Sequence, residues 1–297
     1  MPEGLTTQAQ RMDGNALSTI VKEELSKEIA EFVAAGKRRP GLAVLLIGDD
    51  PASHIYVKNK VASCGKIGIE STLHEFPSTA TAEEVLATIK KLNEDETVDG
   101  ILVQLPLPKG LPTDTILNAV SPKKDVDGLH PLNAGLLLSG KRGLRPCTPF
   151  GIMVMLDRYQ VPIEGMNAVV IGRSNLVGKP IALMLMERNA TVTICHSRSK
   201  NLPAIVGAAD ILVVAAGKEE MVKGEWVKRG AVVIDVGIHR RELEGGKSKL
   251  VGDVEFQTAN QRASHITPVP GGVGPMTVAM LLANTVEAYK SNHSAKQ

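Results

Sequence analysis

The fold is decided by residues 169–180, which read VVIGRSNLVGKP. A short apolar run ends at Gly172, a polar turn follows it, and an apolar helical pattern begins near Val177. A buried strand that turns sharply into a helix is typical of the first βα unit of a doubly wound α/β sheet. Ser174 occupies the position of the second glycine in the usual glycine-rich fingerprint, so an ordinary tight turn stays open as an alternative.

A turn of this kind is also where the pyrophosphate of a dinucleotide binds, on backbone N–H groups and the positive end of a helix dipole. NAD enzymes usually carry an acid roughly 20 residues after the first glycine, but that region contains none here. Arg173, Ser197 and Arg198 suit a 2′-phosphate instead, so NADP is favoured over NAD. Arg198 fits a solvent-facing position equally well. Ile238 is expected to pack on the nicotinamide, with an ordinary core position as the alternative.

Outward from this turn, apolar runs alternate with helical patterns. Residues 81–93 predict a helix that carries Glu83 and Glu84 in its first turn. Most of the runs are continuous, as in parallel strands covered on both faces, so the pattern predicts an α/β fold with doubly wound sheets. The predicted buried strands are residues 42–47, 101–104, 168–171, 191–195, 211–215 and 231–236.

The 297 residues suffice for about two domains. Residues 121–143 are interpreted as a long functional loop, and a helix with Thr148 as its N-cap is predicted to follow. We therefore expect one domain over residues 1–149 and a nucleotide-binding domain over residues 150–274. The last helix, within residues 275–297, is expected to complete the first domain.

The composition of the chain indicates which classes of partner it is expected to bind. Net charge is +2 and aromatic residues make up only 3% of the chain, so we expect no nucleic-acid partner. The apolar runs are shorter than the roughly 20 residues that span a bilayer, and the first residues show no targeting pattern. A soluble, cytoplasmic protein without a membrane partner is expected. Cys64, Cys147 and Cys195 are interpreted as small apolar residues, and no Cys/His cluster indicates a metal site.

Candidate chemical groups lie in four segments. Tyr56 and Lys60 share one face of a predicted helix, although Lys60 taken alone fits a solvated surface better. Gln104 is predicted at the carboxyl end of a strand, where ligands bind in open α/β sheets. The DVDG segment at residues 125–128 supplies two carboxylates, with turn formation as the alternative. The loop TPVPGGVGPMT at residues 267–277 is stiff and exposes its backbone, so it can press against a flat ligand and a cofactor.

Five blocks occur in one order between residues 50 and 285: YxxxK, DGILVQLPLP, KDVDG, IGRSNLVGKP and PVPGGVGPMT. In this order they resemble the bifunctional methylenetetrahydrofolate dehydrogenase/cyclohydrolase family. The resemblance implies NADP-dependent oxidation of 5,10-methylenetetrahydrofolate and hydrolysis of the product to 10-formyltetrahydrofolate. It also implies an N-terminal α/β catalytic domain, a Rossmann-like NADP-binding domain and a homodimer.

The resemblance assigns roles to individual residues. Lys60 matches the central catalytic residue of the hydrolysis, Gln104 the glutamine that hydrogen-bonds it, and Tyr56 the tyrosine that stacks on the aminobenzoate ring. Asp127 matches the carboxylate that pairs with the pterin, whereas Asp125 is expected to support the loop. Further substrate contacts are expected at Val103, Leu105, Pro268, Gly271, Gly272 and Pro275. The expected cofactor contacts are Thr148, Gly172, Arg173, Ser174, Ser197, Ile238 and Gly274.

Other hypotheses stay open at this point. The chain fits a dehydrogenase that has lost the hydrolytic step, and the nucleotide half alone fits an NADP dehydrogenase for amino or hydroxy acids. A non-catalytic descendant is disfavoured by the intact candidate residues. The strands at 211–215 and 231–236 are candidates for the dimer contact, and the charged loop at residues 240–249 receives no role.

Overall fold

Two parallel β-sheets organise the chain, each in a unit of its own. The computed structural model describes residues 8–243 and 248–294. The large-sheet unit comprises Met1–Ser18 and Thr148–Thr277, and the small-sheet unit comprises Thr19–Cys147 and Val278–Gln297. A six-stranded sheet lies in the first unit and a three-stranded sheet in the second, so the two-domain α/β class is confirmed.

The elements follow in chain order. The strands are β1 (Gln10–Arg11), β2 (Gly41–Ile47), β3 (Glu70–Phe76), β4 (Gly100–Val103), β5 (Asn167–Ile171), β6 (Thr191–Cys195), β7 (Ile211–Val214), β8 (Val232–Asp235), β9 (His239–Glu242), β10 (Ser248–Val251) and β11 (His265–Ile266). The helices are α1 (Gly14–Ala34), α2 (Pro51–Ile67), α3 (Ala82–Glu94), α4 (Thr113–Ala119), α5 (Pro131–Leu138), α6 (Cys147–Arg158), α7 (Gly178–Glu187), α8 (Leu202–Val206), α9 (Phe256–Asn260) and α10 (Val273–Ser294), with a short 3-10 turn at Gly224–Trp226.

The small sheet has the order β3-β2-β4, with all strands parallel. β2 is central and every one of its residues is buried, which explains its unbroken apolar sequence. α3 begins after Thr81, whose hydroxyl accepts the N–H of Glu84 while the Glu84 side chain accepts the N–H of Thr81. This capping box satisfies donors that the first turn leaves open, and it confirms the predicted helix.

The large sheet has the order β1-β11-β8-β7-β5-β6. β7 and β8 pair with neighbours on both sides and are buried throughout. The suggestion that residues 211–215 and 231–236 contribute to a dimer is therefore wrong, because neither strand has a free edge. β6 lies at the edge of the sheet and only Cys195 in it is buried, so the prediction of a buried strand at 191–195 is also wrong.

Three local predictions need correction. α6 begins at Cys147, so Thr148 lies inside the first turn and is not the N-cap. The segment expected to be a loop at 121–143 contains α5, which starts at Pro131 and is capped by the His130 ring. The loop expected at 240–249 is an antiparallel hairpin of β9 and β10, and its residues 244–247 lie outside the described residues.

Candidate functional site

Lys60 and Gln104 meet in the small-sheet unit. α2, which carries Lys60, begins after Asp50, whose carboxylate accepts the N–H and the hydroxyl of Ser53 at 2.8 Å each. Gln104 directly follows β4 and is only 9% exposed. Lys60 Nζ donates to Gln104 Oε1 at 2.9 Å, and Gln104 Nε2 donates to the carbonyl of Leu105 at 2.5 Å. Because both ends of the amide are bonded, Gln104 fixes the position of the amine.

The loop that carries Asp127 is held by the residues before it. Lys124 is buried and its Nζ donates to the carbonyls of Leu92 and Asp95 at the end of α3. The Asp125 carboxylate accepts the backbone N–H of His130 at 2.8 Å and the side-chain amide of Asn133 at 2.8 Å. Asp125 therefore supports the loop, as the sequence predicted.

The loop is also held from the C-terminal helix. Asn284 on α10 donates through Nδ2 to the carbonyls of Val126 and Arg145, each at 2.8 Å. The Cys147 thiol donates to the same Val126 carbonyl at 3.2 Å. Sequence reasoning missed Asn284, because a lone asparagine in a helix does not reveal a partner more than 100 residues away.

Asp127 itself is half-buried, and this burial raises the pKa of its carboxyl. The positive charge of Lys60 lowers that pKa, and the charge of Asp125 raises it. The amine and the carboxylate are therefore close enough to influence each other electrostatically. Together with Gln104 they form one polar group of predicted site residues.

The other predicted substrate residues of this unit differ in accessibility. Tyr56 lies one turn before Lys60 on α2 and is 51% exposed, so its ring is available to a ligand. Leu105 is half-buried. Val103 is 3% exposed and packs in the core of the small sheet. A ligand can therefore use only the backbone of Val103, and its side chain is a core residue.

In the large-sheet unit, the turn after β5 depends on a residue without a side chain. Gly172 has φ +127°, and a Cβ there would lie 2.3 Å from the carbonyl oxygen of Ala215. Gly178 was not among the predicted site residues. A Cβ there would lie 2.3 Å from the carbonyl oxygen of Gly172, so the two backbones pack directly against each other. The Ser174 hydroxyl accepts the N–H of Val177 at 3.1 Å and so closes the turn into α7. The turn thus keeps its backbone bare although Ser174 replaces a glycine.

Arg173 and Ser197 leave neighbouring strands at one edge of the large sheet, because the register pairs Ile171 with Cys195. Both side chains are exposed, and Arg198 beside them is exposed as well. Residues 171–178 and 195–200 contain no acid. This donor set fits the phosphate groups of a dinucleotide, including a 2′-phosphate.

The remaining predicted residues of this unit lie in two places. Ile238 follows β8 and is 53% exposed. The Thr148 hydroxyl is 2.9 Å from the hydroxyl of Thr277. In the loop before α10, Pro268 and Gly272 are buried and Gly271 is half-buried. In the first turn of α10, Gly274 is exposed and Pro275 is half-buried. Side-chain contact with a ligand is therefore open to Ile238 and Pro275, while Pro268 and Gly272 shape the loop from inside.

Two buried carboxylates were missed as site residues. Asp235 ends β8 and Asp253 follows β10; their exposed fractions are 4% and 0%. Burial raises the pKa of Asp235 to about 7, and the charge of Asp253 adds to the rise. The sequence signal was weak, since each acid stands within two positions of a glycine, a combination that is also typical of turns.

Some classes of site are absent from the described residues. No helix of this part of the chain is long and apolar enough to cross a membrane, and no group of three or more His, Cys, Asp or Glu side chains in it could hold a metal ion. Cys64, Cys147 and Cys195 are buried free thiols, as the interpretation as apolar residues predicted.

Comparison with known families gives two matches. Residues 12–127 match the catalytic domain of tetrahydrofolate dehydrogenase/cyclohydrolase, and residues 146–293 match its NAD(P)-binding domain. The bifunctional protein FolD 2 of Geobacter metallireducens is 54% identical over 94% of this chain and 96% of its own length. The chain belongs to the tetrahydrofolate dehydrogenase/cyclohydrolase family. It is therefore an enzyme with a catalytic domain and an NAD(P)-binding domain, and the predicted family is confirmed.

Solved structures agree with this assignment. The bifunctional FolD methylenetetrahydrofolate dehydrogenase/cyclohydrolase of Campylobacter jejuni is 47% identical, with a TM-score of 0.91 over 95% of this chain and 99% of that one. The FolD enzyme of Trypanosoma brucei, solved with NADP and an inhibitor, is 38% identical, with a TM-score of 0.92 over 98% of this chain and 100% of that one. The tetrahydrofolate dehydrogenase/cyclohydrolase fold thus extends over nearly the whole chain.

Proposed function

We propose that this enzyme oxidises 5,10-methylenetetrahydrofolate with NADP⁺ and hydrolyses the 5,10-methenyltetrahydrofolate formed to 10-formyltetrahydrofolate. The observation that carries the hydrolytic half is the hydrogen bond of Lys60 Nζ to Gln104 Oε1, with the Asp127 carboxyl close enough to be influenced by the amine. The relatives named above are bifunctional, and this chain retains the residues that the second step needs. A dehydrogenase without hydrolysis has no comparable support.

The chain's own residues bind and orient the folate. The Asp127 carboxylate suits the adjacent N–H donors of the amino-pyrimidine edge of the pterin. The exposed Tyr56 ring offers a face on which the aminobenzoate stacks. These contacts bring the one-carbon bridge to Lys60, one turn along α2 from Tyr56.

The oxidation transfers a hydride from the methylene carbon, for which bound NADP⁺ supplies the acceptor. The folate nitrogens delocalise the positive charge of the methenyl product, so this step needs no strong acid. In the hydrolysis, water adds to the methenyl carbon and the ring opens to the 10-formyl compound. Lys60 assists the proton transfers while Gln104 holds its amine in place.

We assign the cofactor contacts to the large-sheet unit. The exposed backbone of the turn at Gly172 and Ser174 binds the pyrophosphate, and the side chains of Arg173 and Ser197 bind the 2′-phosphate. Ile238 packs on the nicotinamide. Thr148 and Gly274 are further proposed contacts on the cofactor, and Pro268, Gly271, Gly272 and Pro275 on the substrate.

Absorbance measurements test the two activities separately. Purified enzyme is mixed with 5,10-methylenetetrahydrofolate and either NADP⁺ or NAD⁺, and then with 5,10-methenyltetrahydrofolate alone. We expect reduction of NADP⁺ in preference to NAD⁺ and enzyme-dependent loss of the methenyl compound. Reduction without hydrolysis would favour the dehydrogenase that has lost the second step. Neither activity would contradict the proposal as a whole.

Arg173 is expected to determine the choice of cofactor. Arg173→Ala removes a charged hydrogen-bond donor, so KM for NADP⁺ rises about 10- to 100-fold. KM for NAD⁺, which lacks the 2′-phosphate, changes less than about threefold. The matched control is Arg198→Ala, because Arg198 is also exposed and follows the neighbouring strand β6. If Arg198→Ala shows the larger effect on NADP⁺, the phosphate contact is assigned to the wrong arginine.

We also propose that the enzyme is a homodimer and that it is cytoplasmic. It would act in one-carbon metabolism, where the 10-formyl product of the reaction supplies purine biosynthesis. β6 supports the dimer because it is an edge strand that pairs only with β5 among the described strands. Its Thr191, Thr193 and Ile194 are exposed, with Ile194 at 45%. A second copy of the chain that pairs with this edge satisfies the open ladder.

A charge at this edge tests the dimer. Ile194→Glu places a carboxylate in the contact, so the mass by light scattering is expected to fall from twice the 31.6 kDa chain mass to that mass. Leu176→Glu, at another exposed apolar residue of the large-sheet unit, is the control and stays dimeric. A wild-type protein that is already monomeric would refute the dimer.

A further inference from the structure

The carboxylate of Asp253 holds the loop that follows β7. Its Oδ2 accepts the backbone N–H groups of Ala216 at 2.6 Å and Gly217 at 3.0 Å. Its Oδ1 accepts the backbone N–H of Lys218 at 2.9 Å and lies 2.7 Å from His239 Nε2. Three consecutive backbone donors on one fully buried carboxylate fix the conformation of this loop.

Asp235, at the end of β8, fixes Asp253 in turn. Asp235 Oδ1 accepts the backbone N–H groups of Gly237 at 3.0 Å and Asp253 at 2.9 Å, and Oδ2 accepts that of Val254 at 2.9 Å. A Cβ at Gly252 would lie 1.9 Å from Asp235 Oδ2, so this close approach requires glycine. The two carboxylates form one buried network that links the end of β8 to the loop after β7.

This network lies at the edge of the sheet where a dinucleotide binds. In the order β8-β7-β5-β6, the chain leaves β5 first toward β6 and later toward β7, so the strand order reverses between β5 and β7. Dinucleotides bind across such a switch point, at the carboxyl ends of the strands. With Arg173 and Ser197 after β5 and β6, the adenosine half lies on that side. The nicotinamide half then lies over the loops after β7 and β8, where Ile238 is exposed.

We infer that Asp253 is a positioning residue for hydride transfer, which holds the loop after β7 and the segment carrying Ile238 in the arrangement that receives the nicotinamide half of NADP. This inference rests on the proposed function and deepens its cofactor site. Asp253 acts through backbone N–H groups and through His239, and it does not need to touch the cofactor. The hydrolysis at Lys60 does not use these loops, so loss of Asp253 separates the two activities.

The decisive variant is Asp253→Asn. The amide keeps the size of the carboxylate but offers one acceptor oxygen, and its N–H₂ group faces N–H donors. We expect the Kd for NADPH, titrated by fluorescence without folate, to rise about tenfold or more. Hydrolysis of 5,10-methenyltetrahydrofolate without cofactor is expected to stay within about twofold of wild type.

Asp210→Asn is the matched control. Asp210 also forms hydrogen bonds that hold the large sheet, but it lies at the amino ends of the strands, away from the expected dinucleotide site. It precedes β7, where its Oδ2 accepts the backbone N–H of Asn167 at 2.9 Å and its Oδ1 pairs with Lys228 at 2.5 Å. We expect its Kd for NADPH to stay within about twofold of wild type. A rise equal to that of Asp253→Asn would mean that both variants merely loosen the sheet, and it would overturn the inference.

A second pair of variants decides the question if Asp253→Asn does not fold. His239→Ala removes one contact of the Asp253 carboxylate, whereas His239→Gln retains an N–H donor. The His239 side chain is 22% exposed, so both substitutions are tolerable at this site. We expect the alanine variant to weaken NADPH binding about threefold or more and the glutamine variant to restore it.

The outcomes separate this inference from the proposed function. Weaker NADPH binding with intact hydrolysis in Asp253→Asn supports the positioning role. Unchanged NADPH binding, or an equal loss of both activities, overturns it. If the wild type neither binds NADPH nor hydrolyses the methenyl compound, the proposed function itself fails.

Discussion

Lys60→Met is expected to slow hydrolysis of 5,10-methenyltetrahydrofolate by about 10³-fold or more, because an acid–base group contributes factors of this size. Methionine replaces the apolar stem of the lysine but has no amine, so Gln104 Oε1 loses its donor at 2.9 Å. Hydride transfer to NADP⁺ needs no proton from Lys60 and is expected to stay within about tenfold of wild type. Single-substrate absorbance assays, with the methenyl compound alone and with the methylene compound plus NADP⁺, measure both rates.

Lys58→Met is the control for this substitution. Lys58 lies on the same helix and is exposed, so both variants lose one charge from α2. We expect Lys58→Met to keep both activities. If Lys60→Met instead reduced the two rates equally, Lys60 would serve the shared substrate site and would have no separate role in hydrolysis.

Gly172→Ala is expected to produce the largest loss of hydride transfer in the large-sheet unit. The new Cβ would lie 2.3 Å from the carbonyl oxygen of Ala215, and φ at this position is +127°. The turn has to move away from β7, and a displacement of about 1 Å can cost about 10² in kcat/KM. The strained conformation also lowers the free energy of unfolding by at least about 2 kcal/mol. The steady-state rate of NADP⁺ reduction, NADPH titration and denaturant unfolding measure these effects.

Gly165→Ala isolates the collision from the backbone strain. Gly165 lies in the same unit at φ +76°, and a Cβ added there would meet no other group within 4 Å. The alanine variant therefore bears the left-handed penalty alone, about 1–2 kcal/mol, and keeps NADPH binding. Hydrolysis of the methenyl compound serves as a reference in both variants. Equal cofactor binding in the two variants would show that contact with Ala215 does not shape the site.

The sequence predicted those strands in which every residue is buried. β2 is buried on both faces, so its seven residues read as one apolar run. β3 was not predicted because it is an edge strand in which no residue is fully buried, and its sequence ESTLHEF is largely polar. β9 and β10 were not predicted for a similar reason, since Val251 is the only buried residue in these two largely charged strands.

The site residues also divide into those that the sequence predicts and those that it does not. Gln104 was placed correctly at a strand end, because a strand that stops at a polar residue is visible locally. Its contact with Lys60 spans 44 positions and was expected from the family resemblance alone. Asp253 acts on backbone groups 35 to 37 positions away, and no spacing rule signals such contacts. Predicting them from one sequence would require the complete path of the chain.

Asn284 has a consequence for the order in which the protein is made. The loop that carries Asp127 gains a hydrogen bond from this residue, which is synthesised 158 positions after Val126. Each unit is also assembled from two separate stretches of the chain, and the stretches of the two units alternate along the sequence. The loop that carries Asp127 therefore reaches its final set of contacts only after Thr148–Thr277 have already been synthesised.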